Sequence, residues 1–238
     1  MMGKAMQQVK VWDLAVRIFH WSLVVFVITA LVSIKMGDIQ LHAISGIGTL
    51  VLVIFRLVWG VVGSENARFT YFVRSPLVAI NYLKKALSGE PPQYLGHNPA
   101  GAWMIVALLG VLLLQAGLGL FTSEDDHLFF SGPLVELIKP ETSYAITELH
   151  EIIGELLPLL IVIHVAAALF YLFIKKENLI LPLINGRMMV SEALSDKKPR
   201  LESLTRALIA FLVSAGLVIG VINLAPDKTL PQQRPAVE

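Results

Sequence analysis

The chain has 238 residues, of which 55% are hydrophobic and 16% are charged, and its mean hydropathy is +0.70. A soluble domain needs more polar surface than this, and a net charge of +1 offers no bulk basic surface for nucleic acid. The sequence contains no cysteine, which excludes disulfides, thiolate metal sites, iron–sulfur clusters and covalently attached c-type haem.

Five apolar runs of about 20 residues follow one another along the chain, and each is long enough to span a lipid bilayer as a helix. They cover residues 14–34, 41–62, 101–121, 147–174 and 204–224. Strands of a β-barrel are shorter and alternate apolar with polar residues. The sequence therefore predicts an all-α polytopic membrane bundle. The first run is too long for a cleavable signal peptide, so we expect it to be retained as a span.

A shorter helix is predicted between the second and third spans, at residues 76–87. It places four large apolar side chains on one face, with Lys84 and Lys85 elsewhere; these are Leu77, Ile80, Leu83 and Leu87. Two interpretations fit this pattern. The helix either lies on the membrane surface with its apolar face in the lipid, or belongs to a solvated loop.

The distribution of lysine and arginine predicts the orientation. With the N-terminus inside, all but four of the 19 basic residues fall on the inner side. The exceptions are Lys35, Lys139, Lys228 and Arg234. The positive-inside rule therefore predicts a cytoplasmic N-terminus and a C-terminus on the outer side of the membrane.

Four histidines lie within the predicted spans, where an ionisable side chain is costly and marks a functional site. His164 follows His150 by 14 residues, which places it about 21 Å deeper on the same helix face. The order of the spans then pairs His42 with His150 near the outer side and His20 with His164 near the inner side. Two imidazoles close both axial positions of a haem iron, which suits electron transfer. Taken singly, each histidine also fits an interfacial position.

Small residues accompany the outer pair. Gly46 follows His42 by four residues, and Gly154 follows His150 by four, so each glycine lies one turn along the same face. A missing side chain there leaves room for the edge of a macrocycle. Ordinary close packing of membrane helices explains small residues equally well.

Three further residues are candidates for cofactor binding. Arg56 lies 14 residues after His42, at the depth of the inner pair, where its guanidinium fork suits a haem propionate. Arg17, one turn before His20, either makes a similar contact or anchors the span as a positive-inside charge. His97 either contacts a propionate or a quinone, or organises with Asn98 the turn into the third span.

Several short segments resemble the bacterial cytochrome b561 family, which includes the b-type subunit of nickel–iron hydrogenases. They are Val-Trp-Asp-Leu at 11–14, Arg17, Phe-His-Trp at 19–21, Phe-Arg-Leu-Val-Trp-Gly at 55–60 and Tyr-Leu-Gly-His-Asn-Pro at 94–99. The resemblance covers roughly residues 9–186. It implies a four-helix core that holds two b haems through His20, His42, His150 and His164. We therefore divide the chain into a di-haem domain, 1–186, and an addition, 187–238, with the fifth span.

The resemblance also implies a location in the bacterial inner membrane, with the C-terminus in the periplasm. It further implies electron exchange between the quinone pool and a periplasmic c-type cytochrome or a redox subunit. The chain would then be an electron-transfer protein, with quinone oxidoreductase activity and a homodimer both left open. An acidic outer loop favours a basic partner; it contains Glu124, Asp125, Asp126 and Glu141. The alternatives are a membrane anchor for a hydrogenase or another periplasmic oxidoreductase, and a proton-coupled transporter. Glu148, Glu151 and Glu155 would serve the transporter, but an inverted repeat is not evident.

Overall fold

The computed structural model describes residues 6–89, 92–123, 131–196 and 198–225. Within this part of the chain the fold consists of helices and one small sheet. In chain order the helices are α1 (Leu14–Lys35), α2 (Ile39–Val62), α3 (Phe69–Phe72), α4 (Pro76–Ser88), α5 (Pro99–Leu118), α6 (Pro140–Phe173), α7 (Leu181–Asn185), α8 (Glu192–Ser195) and α9 (Leu204–Ile222). Single 3₁₀ turns lie at Glu65–Ala67 and Val135–Leu137.

Five of these helices, α1, α2, α5, α6 and α9, are long and apolar enough to cross a membrane, so the predicted helical bundle is confirmed. Side chains of the preceding residues cap most of them. Asp13 accepts a hydrogen bond from the backbone N–H of Val16 at 2.6 Å, and Asn98 accepts one from Gly101 at 2.7 Å. Such caps satisfy amides that a helix leaves free at its start, and they fix where the chain enters the bilayer.

The fourth predicted span differs from the helix that the structure shows. α6 begins at Pro140, well before the expected residue 147, and continues through Pro158 without a break. Proline suits the first helical position, and the following polar turn is held by Ser143, whose hydroxyl donates to the carbonyl of Phe121 at 2.8 Å. Hydropathy detects only the apolar part of such a helix. The third span also ends earlier, at Leu118.

A two-stranded antiparallel sheet was not predicted. β1 (Met6–Lys10) pairs with β2 (Arg187–Ser191), with Met6 opposite Ser191 and Lys10 opposite Arg187. The sheet joins the N-terminal segment to the segment that follows α6. It therefore places both on the side of the bundle where α1 begins.

Packing among the spanning helices is uneven. α2 lies at the centre and packs against α1, α5 and α9, whereas α6 packs against α5. Among the described elements, the backbone of α6 does not pack against α1 or α2 as closely as it packs against α5. An open gap therefore separates α6 from the α1–α2 pair.

The amphipathic helix predicted at 76–87 is confirmed as α4. One face, with Ala79, Tyr82 and Ala86, is buried, and the Tyr171 hydroxyl on α6 donates to the Tyr82 hydroxyl at 2.9 Å. The predicted apolar face is at least half exposed: Leu77, Ile80, Leu83 and Leu87. An exposed apolar face beside a membrane bundle fits the interpretation in which α4 lies against lipid.

The start of α9 is fixed to the end of α2 by a charged cluster. The Glu202 carboxylate, with a side chain only 8% exposed, forms ion pairs with Arg68, Arg200 and Arg206. Its backbone N–H also donates to the Ser64 hydroxyl at 2.9 Å. One acidic side chain thus gathers three cations and holds the fifth span in place.

Replacing Glu202 with glutamine should loosen α9. The change removes the shared anion and leaves three arginines together, but these are exposed enough that solvent screening limits the loss to about 1 kcal/mol. Thermal unfolding in detergent should therefore show a lower midpoint for E202Q. The matched control is E192Q, because Glu192 is an exposed carboxylate in the same region. Equal midpoints for the two variants would contradict this role.

Candidate functional site

The outer pair of histidines meets across the gap between α2 and α6. The ring centroids of His42 and His150 lie 6.1 Å apart, with the ring planes at 89°. In each ring Nδ1 lies within hydrogen-bond distance of a backbone carbonyl, Ala30 at 2.9 Å for His42 and Gln115 at 3.0 Å for His150. An imidazole that donates through Nδ1 presents its Nε2 lone pair to a metal, and this backbone contact also fixes the ring orientation.

This spacing fits the proposed use of the pair. Two imidazole nitrogens on opposite sides of one metal, each at about 2 Å, place the ring centroids roughly 6 Å apart. Within the described residues no group of three or more His, Asp or Glu side chains could hold a metal ion. The arrangement therefore suits a metal that carries its own equatorial ligands, as haem iron does.

A cavity of about 1030 Å³ opens beside the two rings. It is lined by α1, α2, α5, α6 and the end of α9, and both Gly46 and Gly154 contribute to its wall. A Cβ atom placed on Gly46 would meet nothing within 4 Å, and one on Gly154 would lie 3.1 Å from the side-chain nitrogen of Gln115. Pockets for cofactors commonly measure about 300–1,000 Å³, so the space is sufficient for a large planar group.

Gln115 on α5 is a site residue that the sequence analysis missed. Its side-chain nitrogen lies 3.2 Å from Nε2 of His150, the nitrogen that would bind the metal, and its Oε1 is buried without a partner. A polar side chain inside an apolar span was the available signal. Lys35, the last residue of α1, also lines the cavity and was not singled out.

The inner pair comes from α1, which carries His20, and from α6, which carries His164. His20 and His164 lie close enough for their charges to interact, and His97 lies within the same range of both. Nδ1 of His20 is shielded from solvent and has no hydrogen-bond partner, while its ring packs edge-on against Trp21 with centroids 5.1 Å apart. An unpartnered imidazole nitrogen in such a place favours a bound group that satisfies it.

His97 completes the inner end of the site. Its ring packs at a tilt between Trp12 and Phe72, with centroid distances of 4.5 and 4.6 Å, and its Nδ1 is buried without a partner. Burial and the positive charge of Arg56 lower the pKa of His97 to about 3. The ring is therefore neutral at physiological pH. The neighbouring Asn98 caps α5, so the predicted role of this turn in starting the helix is confirmed for Asn98.

The two arginines of the inner end differ in their surroundings. Arg56 is 3% exposed, donates to the carbonyl of Ala67 at 3.0 Å and lies over the Phe69 ring. Among the ion pairs of the described residues none involves Arg56. Arg17 donates to the carbonyl of Ile184, while its Nε is buried without a partner. Both guanidinium groups therefore retain N–H donors that could bind an anion.

Some predicted features fall outside the described residues. They are Glu124, Asp125 and Asp126 of the acidic loop, and the two outer basic residues Lys228 and Arg234.

The lowered pKa of His97 predicts how stability depends on pH. An unfolded chain binds a proton at this histidine below pH about 6.5, whereas the folded protein does not until pH about 3. Stability should therefore be full above pH 6.5 and fall by up to about 1 kcal/mol per unit as the pH decreases below it. In H97Q this part of the slope of the unfolding free energy against pH should disappear. Chemical unfolding in detergent between about pH 4 and 6 would measure it. Identical slopes for both proteins would contradict the assignment.

Comparison with known proteins identifies the family. A family model described as prokaryotic cytochrome b561 matches residues 11–186, which is most of the chain and close to the region of resemblance. Searches of curated proteins and of solved structures return no match. The matched region contains all four histidines of the two pairs, together with Arg17, Arg56 and His97. The chain therefore belongs to the prokaryotic cytochrome b561 family, a family of haem b proteins that transfer electrons in membranes.

Proposed function

We propose that this membrane cytochrome binds two b haems, one above the other, and relays electrons across the bilayer. The outer group is held by His42 and His150, and the inner group by His20 and His164. The electrons pass between the quinone pool and a redox partner on the periplasmic side, which is either a c-type cytochrome or a subunit of a larger oxidoreductase. Residues 1–186 form the di-haem domain in this proposal.

The observation that carries the proposal is the facing pair His42 and His150. Their ring centroids lie 6.1 Å apart, a spacing at which both rings could hold one haem iron, and their Nδ1 atoms contact backbone carbonyls. α6 supplies a second histidine, His164, and α1 supplies the nearby His20. Because α6 is one continuous helix and the two histidines are 14 residues apart, they lie on nearly the same face of it.

Bound haem iron supplies one-electron transfer, and the residues of this chain control its surroundings. Held by two histidines at each level, the iron would be closed to oxygen and substrate and would serve electron transfer alone. The carbonyl contacts of His42 and His150 hold each ring in one orientation. Arg56 and Arg17 are placed to pair with propionates of the inner group, beside His97, and Lys35 with those of the outer group. Gly46 and Gly154 keep the cavity wall free of side chains.

The orientation follows from the charges at the end of the bundle where α1 begins. That end contains the sheet with Lys10 and Arg187, and the cluster of Arg68 and Arg206 around Glu202. The positive-inside rule makes this the cytoplasmic side. The inner site then faces the cytoplasm, and the acidic loop faces a periplasmic partner that carries basic charge.

Haem stoichiometry tests the ligand assignment. The wild-type protein should contain two haems per chain in a pyridine haemochrome assay, and H150A and H164A should each contain about one, because each variant removes one axial ligand of one site. The matched control, H127A, changes the histidine of the loop between the third and fourth spans and should keep both. One haem per wild-type chain, or an unchanged content in H164A, would refute the two-site assignment.

Transfer across a vesicle membrane tests the relay. With a quinol outside and ferricyanide sealed inside, the wild-type protein should accelerate ferricyanide reduction over protein-free vesicles. H150A and H164A should each slow it by about 100-fold or more, because the two levels on α6 are about 21 Å apart and one site cannot cover that distance. H127A should match the wild type. If dithionite reduces the haems but a quinol does not, the proposed exchange with the quinone pool is contradicted. Such a result would favour a redox subunit as the source of the electrons.

A further inference from the structure

A second cavity lies away from the histidines, at the end of the bundle where α1 begins. It has a volume of about 400 Å³ and lies between the small sheet and the segment that precedes α9. Lys10 of β1, Arg187 of β2 and Lys198 of the segment line it, together with Val9 and Leu201. Three separate parts of the chain thus contribute one cation each to a single pocket.

The sheet brings two of these cations together. Lys10 and Arg187 are direct partners in the register, so their side chains emerge on the same face of the sheet as neighbours. Like charges directly opposite each other destabilise a strand pair. The guanidinium of Arg187 donates to the neutral amide oxygen of Gln8 at 3.2 Å, which does not neutralise either charge.

Two carboxylates beside the segment that precedes α9 are already engaged. Glu202 binds Arg68, Arg200 and Arg206, and Glu65 accepts a hydrogen bond from the backbone N–H of Arg200. The ion pairs found among the described residues leave out Lys10, Arg187 and Lys198. The pocket therefore offers three exposed cations and, among the residues that line it, no acidic side chain.

The position of the pocket indicates what kind of anion can reach it. Lys10 lies four residues before the start of α1, and Lys198 lies six residues before the start of α9, so both lie near the membrane surface. The lining also includes Pro199 and Leu201, which offer apolar contact. A phosphate attached to acyl chains meets both features, and basic pockets beside spanning helices suit anionic headgroups.

We propose that this pocket binds the headgroup phosphate of an anionic phospholipid from the leaflet next to the sheet. Lys10, Arg187 and Lys198 supply charge-assisted hydrogen bonds to the phosphate oxygens, and the bound anion relieves the repulsion between the two paired strands. The proposal uses neither the histidines nor the cavity between α2 and α6, so it does not depend on the assignment of the haem ligands.

Lipid binding to the purified, haem-loaded protein tests the proposal. In neutral detergent, native mass spectrometry would measure retention of phosphatidylglycerol against phosphatidylcholine for the wild type, K10Q/R187Q and K84Q/K85Q. Each cation that contacts the headgroup phosphate in the pocket contributes roughly fivefold to its binding, so K10Q/R187Q should weaken phosphatidylglycerol binding about 25-fold. K84Q/K85Q removes the same charge from α4 and should change it less than about twofold. An unchanged Soret spectrum shows that each variant is folded.

A competition experiment distinguishes binding of a lipid headgroup from binding of free phosphate. Millimolar inorganic phosphate should leave phosphatidylglycerol bound, because it lacks the acyl contacts. Displacement by phosphate, equal retention of phosphatidylcholine, or an equal loss in K84Q/K85Q would each overturn the proposal. If K10Q/R187Q does not fold, K198Q replaces it, with an expected loss of about fivefold.

Discussion

The gap between α6 and the α1–α2 pair is the feature on which the rest of the structure depends. Lipid is as apolar as the side chains of these helices. Burying those side chains against each other therefore gains no hydrophobic free energy that would close the gap. At the outer level, the edge-to-face contact of His42 with His150 crosses the gap. The helices are instead held at their ends, and this leaves the space between them for a cofactor.

Polar contacts at both ends hold α6 at this distance. On one side Ser143 bonds to the carbonyl of Phe121 and to the Ser123 hydroxyl, and on the other Tyr171 bonds to Tyr82 of α4. At the start of α1, the Asp13 carboxylate both caps the helix and accepts the indole N–H of Trp59 on α2 at 3.1 Å. Buried hydrogen bonds of this kind fix geometry more firmly than apolar contact, which has no direction.

The sequence was sufficient to predict five spans, because a span follows from length and hydropathy. It also predicted two pairs of histidines from the 3.6-residue period, and the structure brings the rings of His42 and His150 together. It was not sufficient for the sheet, because β1 and β2 are five residues each and pair across most of the chain. It also missed Gln115, whose contact with His150 depends on how α5 rotates against α6. Features set by tertiary packing leave little trace in a local pattern.

The fifth span, which lies outside the residues that the family model matches, leaves the gap open. α9 packs against α2, and Val218 near its C-terminal end belongs to the same apolar cluster as Leu50. Ile222 and Ala225 then reach the edge of the outer cavity. Since α2 carries both His42 and Arg56, a helix that restrains α2 also restrains one ligand and one cation of the proposed haem sites. The fifth span therefore supports the site from the outside and contributes to its rim.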